Sequence, residues 1–151
     1  MIHFDIPTEY INLVDESRLE KVIQAVLDFE KISEEVELSL VFGGDEQIRE
    51  LNRDYLGHDS PTDVLSFPSD ETDPDSGLHY IGDILLSCPR AEEQARATGH
   101  SAAAEIELLV IHAVLHLLGH DHAEPGEKEN MWAAQTALLH QLGTPIQSMP
   151  E

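Results

Sequence analysis

An α+β domain is the fold class this chain predicts. Strand-like segments come first, helical periodicity follows, and the longest apolar stretch carries histidines at helical spacing. IHFDI (2–6) alternates and reads as a strand. Residues 17–31 place Leu19, Val22, Ile23, Val26 and Leu27 on one helical face, with Ser17 as N-cap and Glu20 completing a capping box. VELSLVF (36–42) alternates as a strand and is ended by Gly43 and Gly44. Asp45 then caps a helix that turns Ile48, Leu51 and Tyr55 inward. VLSF (64–67) and IGDILLS (81–87) are two more strands, joined by SDETDPDSG, whose acidic, turn-rich composition predicts a mobile surface loop. Helices follow over about 90–98, 101–119 and 125–142. The expected architecture is a small mixed four-stranded sheet with about five helices packed on it.

Composition bounds the possibilities. With 151 residues, 41% of them hydrophobic, the chain can bury one good core and has no room for two ordinary domains, so a single domain over 1–151 is expected. The start MIHFDIPTEY has neither a basic segment nor an apolar core of the signal-peptide kind, and the apolar run is broken by His112 and His116. Neither export nor membrane spanning is supported, and a cytoplasmic protein is expected. The lone Cys88 cannot form an internal disulfide and reads as a small buried residue. A formal charge of −22, from 30 acidic residues against 8 Lys and Arg, argues against sequence-independent binding of nucleic acid. No Lys or Arg lies between Arg53 and Arg90.

The chemistry is concentrated in HAVLHLLGHDH (112–122). His112 and His116 are four apart on a helix, which brings their Cβ atoms to about 5–6 Å of each other. Gly119 ends the helix, because the C-terminal turn favours a residue tolerant of positive φ, and the chain reverses to deliver His122. Three imidazoles with a fourth position left for water make a catalytic rather than a structural zinc site. Zinc suits three imidazoles, and nickel or copper would also accept them. The spacing is also that of certain zinc peptidases, but the residue after the first histidine, their glutamate base, is Ala113 here. A methyl group takes no proton, so the base or the substrate must differ. Glu105, two turns before His112, is either a hydrogen-bond partner of a ligand or an exposed helix carboxylate. Asp121 and Asp83 are weaker candidates, since Asp in turns usually satisfies nearby amides.

Three ordered segments, LNRDYLGHDSPTDVLSFP (51–68), IGDILLS (81–87) and the histidine run, continuing to MWAAQTALLHQLG (131–143), resemble the YbeY family of metal-dependent bacterial endoribonucleases. The resemblance implies a zincin-like fold, a metal on His112, His116 and His122, and hydrolysis of single-stranded RNA in ribosomal RNA maturation. It also implies precursor rRNA as substrate, with ribosomal proteins or small-subunit assembly factors as further partners. Where the family pattern carries an arginine for substrate phosphate, this chain has Leu56; Arg53, one turn earlier on much the same face, is the candidate replacement. Ala113 and His120 replace a glycine and a tyrosine, and His120 reads as a surface residue or a neighbour of the ligands. Two readings of other classes remain at this point: a metallopeptidase, and a non-catalytic assembly factor whose metal stabilises the C-terminal helices.

Overall fold

The alternating segments pair into one sheet. The computed structural model describes residues 1–59, 62–121 and 124–146. In it β1 (Ile2–Asp5), β2 (Val36–Gly43), β3 (Val64–Thr72) and β4 (His79–Ser87) lie in the order β1-β2-β4-β3. β1 and β4 run parallel to β2, while β3 pairs antiparallel with β4 at the edge, so the sheet is mixed. Parallel neighbours need crossover connections. The first is α1 (Glu16–Phe29); the second contains α2 (Asp45–Leu56) and β3. α3 (Cys88–Thr98), α4 (Ala102–Leu117) and α5 (Pro125–Leu142) complete the α+β order that the sequence predicts.

Four local expectations shift. Tyr55, which helical phase turns inward, is 70% exposed. α1 is capped two residues earlier than Ser17, by Asp15, whose side chain accepts from Arg18 N; aspartate is as good a cap as serine. Asp45 lies inside α2, after the cap Gly44, and its carboxylate accepts from Ser87 Oγ at 2.7 Å and Arg90 Nε at 3.4 Å. The acidic segment after Phe67 is largely strand: β3 continues to Thr72, which pairs with His79, past an irregularity between Pro68 and Glu71. Composition signalled a loop because this edge strand carries charged side chains into solvent, a common protection against edge pairing. Only the turn at 73–78 remains, closed by Asp73 N to Leu78 O at 2.9 Å.

One face of the sheet, built from Leu38, Leu40 and Phe42 of β2 and Ile84 and Leu86 of β4, packs against α1 and α4. α4 is the core of the molecule. Leu108, Val110, Ile111, Val114 and Leu115 are each 0% exposed, and the helix touches α1, α3, α5, β3 and β4. Each such side chain contributes about 1.5–3 kcal/mol on burial. On the other face α2 lays Ile48 against Leu65 and Leu85.

Close approach of α4 to the sheet depends on Gly82. Its φ is +143°, and a Cβ there would stand 2.3 Å from Phe67 O and 2.8 Å from Leu117 Cδ2. The β2–β4 register slips by one residue just before it, Glu37 pairing with Tyr80 and Leu38 with Gly82.

Candidate active-site cleft

Helical spacing on α4 sets His112 and His116 side by side, their ring centroids 4.7 Å apart and their planes at 78°. Both rings line a cleft of about 290 Å³. The opposite wall is the start of β3, where period-two alternation turns Val64, Ser66 and Pro68 toward α4, with Thr62 and Asp63 beside them. Ser66 Oγ donates to Ala113 O at 3.4 Å and ties the two walls together. After α4 the chain turns through Gly119 at φ +104°, and His120 N returns to Leu115 O at 3.0 Å. His122, the third imidazole expected from the sequence, lies outside the described residues.

Each wall is held from behind by a glutamine. His112 Nδ1 lies 2.6 Å from Gln135 Oε1 on α5. An amide oxygen only accepts, so with Gln135 in this orientation the ring would donate from Nδ1. Across the cleft Asp63 accepts from Val64 N at 2.8 Å and from Gln94 Nε2 at 3.2 Å. The remaining amide atoms, Gln135 Nε2 and Gln94 Oε1, are the two buried side-chain polar atoms without a partner among the described residues. Leaving such a group unsatisfied costs about 1–3 kcal/mol.

This donor set suits a divalent ion of the zinc type. Paired imidazoles, one with its outer nitrogen donating to a fixed acceptor, are the nitrogen ligands such ions take. Among the described residues no group of three His, Cys, Asp or Glu has metal-holding geometry. Ala113, where the peptidases carry their base, is 0% exposed in the core.

Neither of the other sequence-predicted site residues lines this cleft. Glu105 is neither exposed nor bonded to His112: it is 3% exposed, and its carboxylate pairs with His100 Nε2, which curls back from the α3–α4 junction to intercept it. Arg53 is half exposed and bonds Asp54 at 3.1 Å, a contact that raises its pKa, and Leu56 beyond it is also exposed. His120 pairs with Glu30, the C-cap of α1. Asp83 faces the other side of the sheet, accepting from the Tyr80 hydroxyl beside a second cleft of about 560 Å³. Burial first, and then the Asp83 contact, push Tyr80 up to about 12. Cys88 is buried as expected, and burial with Glu92 nearby pushes its thiol up to about 12. Sequence reasoning missed Asp63, Gln94 and Gln135. The one available signal was a glutamine on the buried stripe of α5, among Met131, Ala134, Leu138 and Leu139.

The mixed sheet, the histidine helix packed on it and the cleft between them define an α+β scaffold with a histidine-lined cleft. Comparison with known proteins gives that class its family. The model of the family described as endoribonuclease YbeY matches residues 5–143, and the chain belongs to that family. An endoribonuclease YbeY from Halalkalibacterium halodurans is 40% identical over 145 residues, covering 90% of this chain and 91% of its own. Relatives of the same name from Listeria monocytogenes serotype 4b and Brevibacillus brevis are both 39% identical, over 156 and 158 residues. They cover 95% of this chain and 97% and 98% of their own. The solution structure of TM1509 from Thermotoga maritima superposes with a TM-score of 0.62 at 27% identity, covering 94% of this chain and 89% of that one.

Proposed function

We propose that this chain is a metal-dependent endoribonuclease that hydrolyses phosphodiester bonds of single-stranded RNA in ribosomal RNA maturation. The observation that carries the reading is the adjacent pair His112 and His116 in a cleft, with His112 held by Gln135, in a chain 40% identical to an endoribonuclease. Late processing of 16S rRNA and quality control of 70S ribosomes are proposed on the resemblance of the three sequence segments, and a cytoplasmic setting on the composition of the N-terminal segment and the broken apolar run.

His112, His116 and His122 would hold the ion, Zn²⁺ or Ni²⁺. A divalent cation there would supply Lewis acidity, able to polarise a phosphoryl oxygen and lower the pKa of water toward about 7. The protein's own groups do the rest. His112 and His116 come from one helix packed against α1, α3, α5, β3 and β4, which sets their relative position before substrate enters. Asp63, the carboxylate among the described cleft residues, stands on the opposite wall with both oxygens oriented by donors, ready to take a proton from a reacting water. Capture of RNA is weakly provided for. Arg18, Arg49, Arg53 and Arg90, four of the five arginines, are ion-paired with carboxylates. Presentation of the RNA by ribosomal proteins or assembly factors fits that shortage.

Single-turnover cleavage of single-stranded RNA by Zn²⁺-loaded protein, beside a His116→Ala variant, tests the reading. Loss of cleavage in the variant is expected; equal cleavage by both would refute it. A broad peptide pool should remain intact.

A further inference from the structure

Gln135 is buried in a stripe that is otherwise apolar, and its Nε2 has no partner among the described residues. An apolar side chain of similar volume would pack there and remove that orphan. Packing therefore does not account for a glutamine. Its Oε1 does have a partner, His112 Nδ1 at 2.6 Å. We propose that Gln135 is a positioning residue of the cleft, its amide oxygen holding His112 as the Nδ1–H tautomer so that Nε2 is the ring's electron-pair donor. The inference rests on the metal-holding role given above to His112.

A neutral imidazole has one protonated nitrogen, and the hydrogen bond at one nitrogen decides which. With the amide turned over, Gln135 Nε2 would donate to Nδ1, the ring proton would sit on Nε2, and His112 could not donate an electron pair from that atom. The two orientations of one amide thus correspond to a competent and an incompetent ring. Gln94 shows the same device on the facing wall, where orientation is unambiguous because the Asp63 carboxylate only accepts. Both glutamines devote one amide atom to a cleft group and leave the other buried and without a partner among the described residues.

The direct test is nitrogen-15 ring NMR of the metal-free wild-type protein at about pH 8.5, above the ordinary histidine pKa of about 6.5. His112 should show the Nδ1–H pattern; an Nε2–H pattern overturns the proposal without any variant. Gln135→Leu should populate both tautomers and weaken binding of Zn²⁺ alone, measured by chelator competition, by about 10- to 100-fold. Gln135→Glu, which keeps an acceptor, should restore both. If Gln135→Leu fails to fold, the wild-type spectrum and the glutamate variant still decide. His116→Ala separates the two readings. Unchanged Zn²⁺ affinity there sinks the metal site but leaves the tautomer result standing, whereas lost affinity there with wild-type affinity in Gln135→Leu sinks the role of Gln135 alone.

Discussion

Replacing Gly82 by alanine should loosen the grip of the sheet on α4. The backbone at φ +143° is one that a side chain adopts at a cost of about 1–3 kcal/mol. The new methyl would also stand 2.8 Å from Leu117 Cδ2, which can swing away, and 2.3 Å from Phe67 O, which cannot move without shifting β3. Overpacking of that kind costs a further 1–3 kcal/mol or so. Together these make about 2–6 kcal/mol, a large share of the roughly 5–15 kcal/mol that holds a domain together. At about 2–4 °C per kcal/mol for a chain of this size, Tm should fall by roughly 5–20 °C. Gly77 is the control: its φ is +75° and a Cβ there meets nothing within 4 Å, so Gly77→Ala carries only the backbone term, about 1–2 kcal/mol. Thermal unfolding followed by circular dichroism compares the two. Because Leu117 adjoins His116 and Phe67 lies between two cleft residues, Zn²⁺ affinity should also drop in Gly82→Ala and hold in Gly77→Ala. Equal melting shifts in both variants would show that the close approach at Gly82 is not a steric constraint.

Four further outcomes are expected. Arg53→Ala should weaken binding to single-stranded RNA slightly and reduce the slope of log affinity against log salt by about 0.7, the share of one phosphate contact; an unchanged slope in filter binding removes Arg53 from the RNA path. Glu105→Ala should leave the buried His100 ring without its carboxylate partner, with the Thr98 hydroxyl still 3.2 Å away, and cost about 1–3 kcal/mol in denaturant unfolding, with metal content intact. Impaired cleavage at unaltered stability would instead return Glu105 to the site. Cys88 should resist thiol reagents at pH 8 in the native protein and react only on unfolding, since its thiol stays protonated up to about 12. Tyr80, raised from 10.0 to about 12, stabilises the fold fully below pH 10 and loses that contribution as pH climbs through 12. The stability difference between wild type and Tyr80→Phe should therefore shrink across that window.

Patterns within a single element were legible in the sequence, and relations between elements were not. The α1 stripe from Leu19 to Leu27 and the alternation of β2 each report one buried face, and both elements stand where the pattern put them. The i, i+4 histidines were legible for the same reason, as local geometry on one helix. The length of the β3–β4 hairpin was not, because its ladder is made by backbone atoms while its side chains look like a loop. Gln135 meets His112 across 23 residues and Gln94 meets Asp63 across 31, contacts that no spacing rule anticipates. Glu105 was misplaced by the converse error: helical phase put it on the face of His112, and a partner from the preceding turn claimed its carboxylate.

The packing of α4 against three helices and two strands has a thermodynamic corollary for the proposed ion. In domains that fold around a metal, ligation energy is consumed in ordering the chain, and chelation unfolds them. Here the segment bearing His112 and His116 is already ordered by Leu108, Val110, Ile111, Val114 and Leu115, so removing the ion should leave the helical signal in place. The free energy of coordination then appears as affinity, and stability gained from the ion should follow its concentration through the ordinary logarithmic linkage. One consequence is physiological in kind: if the proposed ion binds there, the metal-free protein should persist as a folded reservoir, with activity set by how much cation the surroundings offer.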